Sequence, residues 1–391
     1  MGYEFYKLKE NPFPKGGAII KPESSDPREN GSIFSINARK KEIQEFEEKF
    51  IGVKTLFDDR LRCGLLWAEG DRISGRGMGK TALALYMKHR INDGYGKNFF
   101  EGKEKFFCSY ISFNTQLKSK IAFLYKIAFR SLIVDKILSN VASCSTKTDL
   151  VNAGVKDEFA KAIVNNHVRE YLESLSRYSL EELSTAWDQK FLVKVPELFL
   201  DQTVKALKVA GFKGGFLVID DLENLTDRST RAEIETFIKD FGIAFFRAGY
   251  EASNSNFFTL ILTTHEQSAR KISEAWTVAG LSKSFPLAAK GHASILTRQP
   301  DMEQCVDIVS QYLNYYRDQT EELPTEFYPF TKDAIEKIIT ESDNHPRRFL
   351  SRFNGIISRA LSKGVEIIDS NFVDTVPEID VSDDDLGIED L

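Results

Sequence analysis

Residues 74–81, Ser-Gly-Arg-Gly-Met-Gly-Lys-Thr, constrain the fold of this chain more than any other stretch. They follow the apolar run Leu65-Leu66-Trp67-Ala68 and precede the helical pattern Ala82-Leu83-Ala84-Leu85-Tyr86-Met87-Lys88. Strand, glycine loop, Lys-Thr and helix, in that order, build a loop that holds phosphate. Glycines let successive backbone N–H groups turn inward, and the helix that follows points its positive end at the same place. In this reading the backbone of Gly75, Gly77, Met78, Gly79, Thr81 and Ala82 forms the cradle. Lys80 reaches the β and γ phosphates, and the Thr81 hydroxyl ligates Mg2+. The usual spacing begins with glycine where this chain has Ser74, so a Gly-rich turn that merely precedes Lys-Thr is the plainer alternative. The flanking strand and helix favour phosphate binding.

Four further strand-like runs follow: residues 106–111, 216–219, 258–262 and a short 284–287. Most are continuous apolar runs rather than alternating ones, as expected for strands covered on both faces of a parallel sheet. Helical segments separate them, so the fold class is α/β. Residues 115–214 contain no convincing strand and are read as a helical insertion, with helices near 121–129, 168–172 and 204–209. From Gln299 onward the pattern is helical. Near the N-terminus, Asn37 is a candidate cap for a helix carrying Ile43, Phe46 and Phe50 on one face.

The second run ends in acids, Phe216-Leu217-Val218-Ile219-Asp220-Asp221-Leu222-Glu223. A buried strand that ends in a carboxylate beside a phosphate loop holds Mg2+, usually through water. Asp220 suits that role, and Asp221 suits orientation of an attacking water. Glu223 is either a base or the first turn of the next helix. The third run ends Leu262-Thr263-Thr264-His265, where Thr263 or Thr264 is the candidate polar group near the γ-phosphate, and His265 reads as a surface or capping residue. Further on, Thr331 caps one helix and Pro346 starts another, which puts Arg347 in a first turn. A cation there opposes the helix dipole unless an anion compensates. A nucleotide phosphate would do so, and a solvated arginine is the alternative.

Composition narrows the setting. The 391 residues, 42% hydrophobic and 28% charged, suit a globular protein of two or three domains, with 30 phenylalanines for its cores. No run approaches the ~20 apolar residues of a membrane span. The N-terminus has no basic-then-apolar leader, and the four scattered cysteines form no pair motif, so a cytoplasmic location is expected. Net charge is −6, but residues 378–391 hold seven acids and no base. Without them 52 basic residues face 51 acidic ones, so global charge argues neither for nor against nucleic acid. That acidic tail is either a solvating disordered end or a docking strip for a basic partner.

Taken in order, SGRGMGKT, FLVIDDLE, TLILTTH and NHPRRFL resemble an AAA+ ATPase of the initiator and helicase-loader type. The Asp220-Asp221 pair is similar to the acidic motif of DnaA and DnaC-like proteins. The opening FYKLKENPFPKGG with NARKKEIQEF resembles the N-terminal segment of ExeA-like and origin-recognition-like ATPases, where adenine is gripped. The resemblance covers residues 1–114 and 215–375. It implies an α/β P-loop NTPase with a five-stranded parallel sheet flanked by helices, a helical insertion and a C-terminal helical lid. The implied organisation is an N-terminal segment to residue 60, a nucleotide-binding domain over 61–297, a lid over 298–377 and the acidic tail.

It also implies ATP and Mg2+ as cofactors, Lys80 and Thr81 as Walker A, and Asp220 and Asp221 as Walker B. Sensor 1 is then Thr263 or Thr264, and sensor 2 is Arg347. The arginine finger of such enzymes is left open among Arg228, Arg231, Arg247 and Arg270. Forty-four residues follow Arg347, too few for an appended winged-helix domain, so sequence-specific DNA reading by this chain is not expected. The implied function is a switch or loader for protein partners that act on DNA, with self-association that depends on ATP. The alternatives are a nucleotide-gated scaffold that hydrolyses little, and a protein-remodelling ATPase. The last is less favoured because no aromatic pore loop flanked by glycine is evident.

Overall fold

The computed structural model describes residues 2–15, 24–52, 63–70, 74–95, 105–112, 131–132, 135–166, 196–242, 257–281, 294–317 and 322–377. The strands are β1 (Cys63–Ala68), β2 (Lys105–Ser112), β3 (Phe212–Asp220), β4 (Phe258–His265) and β5 (Ser294–Leu296). The helices up to the end of the insertion are α1 (Lys40–Phe46), α2 (Lys80–Arg90), α3 (Ile137–Cys144), α4 (Lys147–Asn152), α5 (Asp157–Val164) and α6 (Pro196–Val209). They continue with α7 (Glu223–Arg228), α8 (Arg231–Gly242), α9 (Glu266–Val278), α10 (Met302–Tyr316), α11 (Lys332–Glu341), α12 (Pro346–Lys363) and α13 (Ser370–Asp374).

The five strands form one parallel sheet in the order β2-β3-β4-β1-β5, flanked by helices, an α/β architecture. Register is explicit across its middle: Cys108 lies opposite Phe216 and Ser112 opposite Asp220, while Leu217 lies opposite Leu260. β1 and β4 are buried along their whole length, which explains their unbroken apolar runs. Gly215 fits β3 because the Phe107 ring occupies the space where a Cβ would stand. That ring lies 5.4 Å from Phe212 and 6.1 Å from Phe258, edge to face with both. Each such fully buried side chain contributes about 1.5–3 kcal/mol of transfer free energy.

Residue contacts divide the chain into two compact units. One comprises residues 1–44, 68–86 and 296–391; the other comprises 45–67 and 87–295. The first unit has its own core, in which the N-terminal segment joins the C-terminal helices. Phe13 is fully buried there, its ring 5.0 Å from Phe353 and 6.2 Å from Tyr312. The second unit carries the sheet strands and the described helices of the insertion, α3 to α6.

Several expectations are revised or lie outside the described residues. Asn37 does not cap the helix it opens. The Ser35 hydroxyl accepts from the Ala38 N–H at 2.9 Å, while Asn37 donates to Asp307 at 3.3 Å. The fifth strand is Ser294–Leu296; the run 284–287 lies outside the described residues, as do 121–129, 168–172 and the acidic tail. Thr331 caps α11 by accepting from the Ala334 N–H, and Pro346 stands at the start of α12.

Candidate functional site

In the first unit, residues 74–79 of the glycine loop lead into α2, whose first residue is Lys80. Gly77 and Gly79 have φ of 79° and 85°, the left-handed region that glycine enters without a Cβ penalty. Gly75, Met78 and Lys80 are buried, and Thr81 and Ala82 are half-buried in the first turn of α2. The Lys80 ammonium donates to the Gly75 carbonyl at 2.8 Å, curling the side chain back over its own loop. Ser74, which stands where the usual pattern has glycine, is exposed.

The start of α12 is seated on this loop. A Cβ at Gly77 would come within 2.6 Å of the Arg347 Cβ and 2.9 Å of His345 Cε1. Arg347 is therefore brought against the loop. A cavity of about 580 Å³ opens beside it, lined by Glu69, Ser74, Met78, Thr297, Arg298, His345 and others. Burial holds the His345 imidazole below its ordinary pKa of 6.5, and the nearby Arg348 charge acts in the same direction. His345 is accordingly neutral at pH 7.

Arg39 is the residue of this half that sequence reasoning missed. It is 5% exposed, and its guanidinium donates to the Met78 carbonyl and the Arg298 carbonyl, each at 2.7 Å. Glu42, 4% exposed, lies 3.5 Å from the same guanidinium and accepts from the Arg298 N–H at 3.1 Å. One buried ion pair thus ties the glycine loop to the segment that leads from β5 into α10. Burial pushes the Arg39 pKa down while the Glu42 carboxylate pulls it up. The available signal was an Arg and a Glu three apart on a helix, a spacing that usually marks a solvated pair.

The second unit holds the acidic strand end. Asp220 is the last residue of β3 and 1% exposed. Its carboxylate accepts from two hydroxyls, Tyr110 of β2 on one oxygen and Thr263 of β4 on the other. The Thr263 hydroxyl also accepts from the Asp221 N–H at 3.1 Å. Asp221 sits at φ 57°, which swings its carboxylate within 3.3 Å of the Ser112 hydroxyl. Strand order puts β4, with Thr263, between β3 and β1.

Of the two candidate threonines it is Thr263, not Thr264, that meets the acid. The Thr264 hydroxyl is buried and donates to the His265 carbonyl at 3.4 Å. Glu223 is buried at the first turn of α7. His265 caps α9 by accepting from the Ser268 N–H at 3.3 Å, and it is fully buried rather than superficial. Arg231 and Arg270 are exposed and paired with Glu235 and Glu266 on their own helices. Arg247 and the Arg228 side chain lie outside the described residues.

No protein-family model matches the chain, and no curated protein matches it. Among solved structures, the Aeropyrum pernix ORC2 protein in its ADP form is similar at 13% identity and a TM-score of 0.46, covering 91% of this chain and 69% of that one. The same protein in ADPNP-ADP complexes is similar at 11% identity and 0.46, with 95% and 71% covered. CDC6P from Pyrobaculum aerophilum is similar at 14% identity and 0.40, with 89% and 66% covered.

Proposed function

We propose that this chain is an ATP-binding, Mg2+-dependent AAA+ ATPase of the initiator type, acting as a switch or loader for partners that work on DNA. The observation that carries the reading is the glycine loop opening α2 at Lys80, with Arg347 packed on Gly77. The backbone of Gly75, Gly77, Met78 and Gly79, with Thr81 and Ala82, cradles the phosphates. Lys80 leaves the Gly75 carbonyl for the β and γ phosphates, and Arg347 supplies a second positive charge to the γ-phosphate.

The donor chemistry fits Mg2+, a hard cation that takes oxygen ligands from one or two protein groups together with phosphates. Thr81 offers a hydroxyl, and Asp220 offers a carboxylate fixed by two hydroxyls. Mg2+ when bound neutralises charge that builds on the phosphate oxygens. The attacking water, oriented by the Asp221 carboxylate, forms a bond from its oxygen to the γ-phosphorus. The bond to the β–γ bridging oxygen breaks, ADP departs, and the water's proton ends on inorganic phosphate. Thr263, fixed between Asp220 and the Asp221 amide, is the sensor 1 residue in this scheme.

A second reading, a nucleotide-gated module with little turnover, draws support from Asp221. Its carboxylate is shorter by one methylene than a glutamate and already accepts from Ser112 at 3.3 Å. Turnover measured with and without DNA and partner separates the two. Lys80→Ala tests both, because each requires ATP to bind at this loop.

A further inference from the structure

The Asp220-Asp221 pair is held from β2 by two hydroxyls that no sequence motif marks. Tyr110 and Ser112 are two residues apart on one strand, so their side chains project from the same face. Register sets Ser112 opposite Asp220 and Tyr110 opposite Val218. The long Tyr110 side chain leans forward two positions to donate to Asp220, and the short Ser112 donates to Asp221 at 3.3 Å. One hydroxyl of β2 therefore reaches each carboxylate. The positive φ of Asp221 makes the second contact available, since an extended residue there would project to the other face of the sheet.

We infer that Tyr110 and Ser112 are positioning residues with divided tasks: Tyr110 fixes the carboxylate that engages Mg2+, and Ser112 aims the carboxylate that orients the attacking water. The inference rests on the ATPase reading above and deepens it. Without the Tyr110 hydroxyl, Asp220, 1% exposed, would lose a charge-assisted bond that is costly to leave unmade in a buried site. Partners that orient a metal's ligand typically matter about 10–100-fold in metal affinity or activity.

The test compares Tyr110→Phe and Ser112→Ala with the wild type, using binding of fluorescent ATP across a Mg2+ titration, the same titration in EDTA, and single-turnover hydrolysis. Y110F is expected to raise the Mg2+ midpoint of ATP binding by about tenfold while binding in EDTA stays as in the wild type. S112A is expected to slow turnover roughly fivefold to tenfold with the Mg2+ midpoint unmoved. If Y110F changes only thermal stability, or if both variants lose the same property equally, the division of tasks is wrong. Ser112 is exposed, so S112A is expected to fold; if Y110F fails to fold, unchanged turnover in S112A overturns the inference. A wild type that binds no ATP at all refutes the ATPase reading instead, which keeps the two failures distinct.

Discussion

Arg39→Met should be the most damaging single change in the first unit outside its apolar core. The substitution keeps an unbranched stem but removes a guanidinium that donates to the Met78 and Arg298 carbonyls at 2.7 Å each. It also strands the Glu42 carboxylate, 4% exposed, with its partner charge gone. Removing one member of a buried ion pair costs about 3–5 kcal/mol, because an uncompensated charge is left behind. With a slope of about 1–3 kcal/mol per molar urea, the unfolding midpoint should fall by at least about 1 M. The two-unit chain need not melt in one step, so the transition should be followed by a probe in the first unit, such as hydrogen exchange over α12. Arg39→Met with Glu42→Met should cost less than Arg39→Met alone, since the stranded charge is then absent. ATP affinity should fall in the single mutant, because the Met78 carbonyl loses its anchor. A loss under about 1 kcal/mol, or strict additivity in the double mutant, would refute the reasoning.

Three further outcomes follow from the same geometry. Gly77→Ala should cost about 1–3 kcal/mol and weaken ATP binding in a titration, since φ is 79° and the new Cβ would stand 2.6 Å from the Arg347 Cβ. Thr263→Val should slow single-turnover hydrolysis at least about tenfold more than Thr264→Val, because only Thr263 reaches Asp220. His345 and His89 both have depressed pKa values, chiefly from burial, so the unfolded chain binds protons that the folded one does not. Their stabilising contribution is present above the ordinary value of 6.5 and is lost as pH falls through the folded values. Denaturation midpoints should therefore drop between pH 7 and pH 5, and His345→Gln should flatten that slope.

What the sequence disclosed was local. Runs such as Phe216 to Ile219 read as buried strands because the sheet covers both faces, and Thr331 and Pro346 announced helix starts through short-range bonding and a fixed φ. The glycine loop was legible because its conformation requires particular residues at particular positions. What stayed hidden depends on contacts between distant segments. Arg39 meets Met78 and Arg298 across intervals no periodicity records, and Tyr110 meets Asp220 across 110 residues. β5 has three residues, too few to show a pattern, and nothing in its composition sets it apart. The choice between Thr263 and Thr264 turned on which side of β4 faces Asp220, a matter of orientation that two identical neighbours cannot signal. Phe13, flanked by Pro12 and Pro14, is core because Tyr312 and Phe353 receive it.

The central claim, that residues 74–82 hold the phosphates of ATP, is tested most directly by calorimetric titration of ATP with Mg2+ into the wild type and Lys80→Ala. The wild type should bind one ATP per chain, and Lys80→Ala should lose at least about tenfold in affinity while its thermal melt is unchanged, as a charge-assisted contact to phosphate requires. Equal binding by the two proteins would contradict the account.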